Sequence, residues 1–160
     1  MEYAKNAGLK VKALMSIGHA GESKETIENT KNWLLETKPE DFDCTIITTY
    51  PGSPYFDDAV KEEDYYVYTQ PKTGDKLYQK DLNYLEEPDY YKGDPEGGYR
   101  SYVWTDHITT EELVSERDKL EAEVRSTLNI PFNPAGGFVK FEHSMGQGNI
   151  PTSILRKSHD

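Results

Sequence analysis

The chain has 160 residues, 18 Lys and Arg against 29 Asp and Glu, and a formal net charge of -11. That length is one domain's worth of chain, and such an acidic surface offers no basic stripe to neutralise phosphates, which argues against nucleic acid as a partner. No segment approaches the apolar length of a membrane span, the start (Met1-Glu2-Tyr3-Ala4-Lys5) has no signal-peptide core, and a lone cysteine excludes a disulfide framework, so a cytoplasmic setting is expected.

Taken in chain order, Glu2 to Ala7 followed by Gly8 reads as a short helical end with a glycine cap. A helix that short is marginal alone, so the chain is expected to begin inside a longer parent. Leu9 to Ile17 reads as a buried strand, with Val11, Ala13, Met15 and Ile17 on one side and Leu14 on the other. Lys24 to Thr37 reads as a helix with Ile27, Thr30 and Leu34 at helical spacing and Trp33 beside them. Between them lies Ser16-Ile17-Gly18-His19-Ala20-Gly21-Glu22-Ser23, a glycine-bearing turn at the carboxyl end of a strand, where α/β folds place ligands. A second strand is expected at Cys44 to Thr48, ending in the turn Tyr50-Pro51-Gly52-Ser53-Pro54. Strand, helix and strand in that order predict an α/β class with a parallel pair.

From Asp58 to Tyr102 the composition turns to tyrosines interleaved with acids, prolines and glycines. Tyr66 to Thr69 and Lys76 to Gln79, flanking Pro71-Lys72-Thr73-Gly74-Asp75, predict a hairpin. Residues 86–98 read as irregular loop and Tyr99 to Trp104 as a third strand. Thr109-Thr110-Glu111-Glu112 is a capping box opening an amphipathic helix with Leu113, Arg117, Leu120, Val124 and Leu128 on one stripe, ending before Asn129-Ile130-Pro131. The tail is glycine-rich, and its Gly146-Gln147-Gly148 is no phosphate loop, since no Gly-Lys-Ser/Thr follows. The organisation predicted is thus 1–57, 58–134 and 135–160.

Cys44, amid Phe42, Ile46 and Ile47, reads as a buried structural thiol. His19, in the central turn, is the histidine best placed to meet a ligand. His107, His143 and His159 show no helical metal-pair spacing, and a zinc site would require distant histidines to converge. Glu22 near a helix start gains modestly from the macrodipole, about 0.5 kcal/mol. Ser53 sits in no nucleophile elbow. No catalytic residue is assigned.

The stretches AGLKVKALMSIGHAGES and TTYPGSPYFD resemble the C-terminal part of the radical S-adenosylmethionine superfamily barrel, specifically over residues 4–58 and more weakly over 100–134. The branch it resembles often carries an upstream cobalamin-binding domain. The resemblance implies a partial (β/α) barrel, its last strand-helix-strand, followed by a C-terminal extension that caps the barrel mouth. It implies S-adenosylmethionine contacts through Ile17, Gly18, His19, Gly21, Glu22, Tyr50, Pro51 and Gly52, although the G-x-x-G-E spacing is one residue longer than the family's usual turn. The family holds a four-iron four-sulfur cluster with C-x-x-x-C-x-x-C and cleaves the cofactor reductively to a 5'-deoxyadenosyl radical that acts on a small-molecule substrate. One cysteine cannot supply three thiolates, so the cluster would belong to the parent protein only, cobalamin likewise, and methyl transfer or cyclisation are the chemistries implied. Exposed barrel faces would favour self-association. The competing expectation is a non-catalytic binding module whose functional surface is the acidic, tyrosine-rich middle.

Overall fold

A computed structural model describes residues 1–83 and 99–131. The predicted loop at 86–98 and the glycine-rich tail, with His143 and His159, lie outside the described residues. The fold is mixed α/β, built from two small sheets, and no closed barrel forms among the described residues.

The first sheet is a parallel pair. Strand β1 (Lys12–Ile17) runs alongside β2 (Asp41–Ile46), with Ala13 opposite Phe42, Met15 opposite Cys44 and Ile17 opposite Ile46. Helix α2 (Lys24–Thr37), with the bounds expected, connects them. Its Ile27 and Leu34 meet Ala13, Ile17, Phe42 and Cys44 in the core, while Trp33 stays exposed. Ser23 caps α2 through a reciprocal box with Thr26. Lys38 takes the left-handed conformation that ends the helix, at φ 50°. Helix α1 (Glu2–Asn6) is held at that same end by Lys5 Nζ, which donates to the Thr37 carbonyl at 3.0 Å and to that of Lys38.

Both strands differ from expectation at their ends. Strand β1 begins at Lys12 rather than Leu9, which is 62% exposed. Strand β2 begins at Asp41 rather than Cys44 and ends at Ile46 rather than Thr48. Asp41 and Asp43 hid its start, because aspartate reads as a turn residue. Here Lys12 Nζ neutralises both, at 3.2 and 2.8 Å.

The second sheet is a four-stranded antiparallel meander in the order β3 (Val60–Lys61), β4 (Tyr65–Thr69), β5 (Lys76–Lys80) and β6 (Val103–Trp104). The hairpin expected is β4–β5, with Tyr68 opposite Leu77; only the last two residues of the expected third strand pair, on β5. A short helix α3 (Pro54–Asp57) precedes the meander. One face of the meander, with Tyr68, Leu77, Gln79 and Val103, is buried.

Helix α4 (Thr110–Leu128) starts at the predicted capping box and packs on α2 and β2 through Leu113, Leu120 and Val124. It also buries Arg117, Glu121 and Arg125, one turn apart. These three bond to the backbone of β2 on the edge away from β1. Arg117 Nε donates to the Cys44 carbonyl at 2.9 Å, Glu121 Oε1 accepts the Cys44 amide at 2.9 Å, and an Arg125 Nη donates to the Phe42 carbonyl at 2.5 Å. Glu121 is bonded in turn by Arg117 at 3.2 Å and Arg125 at 2.6 Å. An open strand edge carries unpaired donors and acceptors. Here a helix supplies side chains where a neighbouring strand would supply backbone.

Candidate functional site

The carboxyl edge of the parallel pair carries the two turns singled out in the sequence. Parallel pairing in register makes both strands deliver their following loops to one edge, so Gly18–Glu22 and Tyr50–Gly52 lie on the same side of the sheet.

The first turn is tightly built. Gly18 stands at φ 89°, and a Cβ there would lie 3.1 Å from Val103 Cγ2 and 3.4 Å from Ile46 Cγ2. Gly21 stands at φ 80°, and its Cβ would lie 2.9 Å from Asp75 Oδ2. The close approach that glycine permits is therefore made by the meander. Glu22 is buried; its Oε2 accepts the Gly18 amide at 2.9 Å, its Oε1 accepts from Thr26 Oγ1, and its carbonyl accepts from Thr105 Oγ1 at 2.6 Å. Ile17 has no exposure, and its carbonyl accepts the Ile47 amide at 3.0 Å. Ile17, Gly18, Gly21 and Glu22 thus form the inner wall.

His19 and its neighbours form the more open part. Ser16 Oγ lies 2.8 Å from His19 Nε2, and His19 Nδ1 lies 3.3 Å from Tyr55 Oη. With the proton on Nδ1, the ring donates to Tyr55 while Nε2 accepts the exposed Ser16 hydroxyl. Burial pushes the His19 pKa below its ordinary 6.5, with Glu22 opposing, so the ring is neutral at neutral pH. A neutral imidazole between a hydroxyl and a phenol can accept and return a proton. Tyr55 packs its ring 4.7 Å from that of Tyr68, and burial raises its phenol.

The second turn is exposed at Tyr50, Pro51 and Gly52, with open space around Gly52. Thr49, just before it, is clasped by Gln79 of β5: its amide donates to Gln79 Oε1 at 2.5 Å, and its carbonyl accepts from Gln79 Nε2 at 2.7 Å. Ser16, Tyr55, Asp75, Gln79 and Thr105 were not read as site residues from sequence. Only Ser16, three positions before His19, carried a local signal.

Cys44 has no exposure and lies under α4, where burial, reinforced by Glu121, pushes its thiol up to about 12. It does not fit a cluster ligand, which must be a thiolate facing the metal. No group of His, Cys, Asp and Glu among the described residues could hold a metal ion; His107 is exposed, and its backbone amide donates to Thr105 Oγ1 at 3.1 Å. No helix among the described residues is long and apolar enough to cross a membrane. Compared with known proteins, this chain is matched by no family model, no curated protein and no solved structure.

Proposed function

We propose that the chain is the C-terminal part of a radical S-adenosylmethionine enzyme, contributing one wall of the cofactor site and the substrate-side cap. The observation that carries this reading is the asymmetry of the parallel pair. The outer edge of β2 is sealed by Arg117, Glu121 and Arg125, as suits the last strand of an open barrel. The other edge, on β1, pairs with no strand among the described residues, and Leu14 beside it is 75% exposed. A preceding strand of the parent would pair there; without it, that edge and Leu14 favour self-association.

On this reading His19, Tyr50, Pro51 and Gly52 are the residues left open toward S-adenosylmethionine. Ile17, Gly18, Gly21 and Glu22 hold them from behind, because their own space is filled by Val103, Asp75 and Thr105. The residues present do not fit an iron-sulfur cluster, so its ligands would lie in the parent, as would any cobalamin, and the chain would not be catalytically complete. Within it, His19 would hold or move a proton between Ser16 and Tyr55, with the exposed Ser16 hydroxyl as the end open to a small-molecule substrate. The test is the in-frame reading of the source locus upstream of Met1. A C-x-x-x-C-x-x-C pattern within about 100–200 residues, one domain's length, is expected; its absence would sink the proposal.

The second reading, a non-catalytic binding module in the tyrosine-rich middle, is favoured by one observation. The meander presents Tyr65, Tyr78 and Trp104 on the side away from its buried face.

A further inference from the structure

Side chains alternate across a strand, so the residues opposite Tyr68, Leu77, Gln79 and Val103 form a separate surface. On it Tyr78 and Trp104 are direct cross-strand partners, with ring planes 8° apart and centroids 5.6 Å apart. Tyr65 stands edge-on to both, at 6.0 Å from Tyr78 and 5.7 Å from Trp104. Tyr78 is pinned by its hydroxyl, which donates to Asp106 Oδ1 at 2.7 Å. None of the three is needed by the main core, and none is fully buried. Half-buried aromatic surface outside the core is what calls for an explanation.

Beside Tyr65 and Trp104 opens a groove of about 850 Å³, within the size range of small-molecule sites. Its polar lining includes Asp64, Lys80, Asp81, Arg100 and Glu111. Asp81 is engaged by Lys61 at 2.7 Å, and Glu111 is held at the start of α4, where hydrogen bonds lower its pKa. Lys80 and Arg100 are both exposed, and neither enters an ion pair among the described residues. Lys80 and Arg100 thus stand beside two carboxylates, Asp64 and Glu111, that also have no ion-pair partner among the described residues, so both cations keep free donors for an anion.

We infer that this groove binds a small planar aromatic anion of the mononucleotide class, its ring against Trp104 and Tyr65 and its phosphate against Lys80 and Arg100. Flat rings accept a stacked base whatever its identity, and a guanidinium pairs with phosphate through two parallel hydrogen bonds. The net charge of -11 disfavours a polynucleotide, whose successive phosphates would meet acidic surface beyond the groove. The site stands whether or not the chain belongs to a radical enzyme.

The test uses Trp104 emission in a Trp33→Phe background, where it is the sole tryptophan. Titration with adenosine 5'-monophosphate is expected to quench it saturably, and adenosine or inorganic phosphate alone to bind at least about tenfold more weakly. Lys80→Gln and Arg100→Gln, both at exposed positions, are each expected to weaken the monophosphate about tenfold while leaving the circular dichroism spectrum unchanged. Three results would overturn the assignment: no saturable quenching, equal affinity for adenosine, or indifference to both substitutions. Tighter binding of a short single-stranded oligonucleotide than of the monophosphate would also overturn it.

Discussion

Replacing Arg117, Glu121 and Arg125 together by Met, Leu and Met separates two roles that a buried ion triad can play. If the three served only one another, an apolar replacement of similar volume would be neutral or would stabilise by about 1–4 kcal/mol, because the cost of burying charge disappears. In this fold the same change orphans the Cys44 amide and the carbonyls of Cys44 and Phe42. Each buried, unsatisfied group costs about 1–3 kcal/mol, so the three outweigh the gain and leave a net loss near ~3 kcal/mol. That is a large part of the ~5–15 kcal/mol that holds a domain of this size together. Urea unfolding followed by circular dichroism, with the midpoint and slope fitted together, reads the difference. A triple variant as stable as the parent would refute the idea that α4 substitutes for a strand. Glu121→Gln keeps an acceptor for the Cys44 amide but removes the buried charge shared by the two guanidiniums, leaving Arg117 with Asp118 and Arg125 with Asp41, so it isolates that charge from the edge.

Three further outcomes follow from the same geometry. Gly21→Ala forces a left-handed backbone on alanine, at about 1–2 kcal/mol, and drives its Cβ into Asp75; Asp75→Ala should recover part of the loss, and full independence of the two in thermal melts would contradict the contact. Cys44, sealed and with its thiol near 12, is expected to resist a disulfide reagent at pH 8 in the native protein and to react at once in urea; rapid native labelling would place it elsewhere. His19 has a folded pKa below its unfolded 6.5, so the unfolded chain takes up the proton first and stability falls as pH drops below 6.5. Glu22 opposes that shift without cancelling it, so His19→Gln should flatten the acid limb of the stability curve, and an unchanged slope would refute it.

How far the sequence reached can be judged element by element. Local chemistry was sufficient where an element is defined by its own residues. The Thr109 capping box set the start of α4, and Ile27 with Leu34 placed the buried stripe of α2, whereas the Ser23–Thr26 box at the start of α2 emerged only in the structure. The alternation of β4 and β5 around Gly74 set the hairpin, and the order strand, helix, strand implied the parallel pair. What needed the tertiary structure was whatever depends on a partner far along the chain. Asp41 and Asp43 become strand residues only because Lys12 and Arg125 lie against them. Arg117 was read as part of an apolar stripe, yet its guanidinium is buried because a strand edge across the fold accepts it. Gly18 and Gly21 looked like room for a ligand, and their room is filled by Val103 and Asp75, more than fifty residues on. A sequence window records which groups a segment offers; which distant groups meet them, and so which glycine is a gap and which aromatic ring is surface, is decided by packing alone.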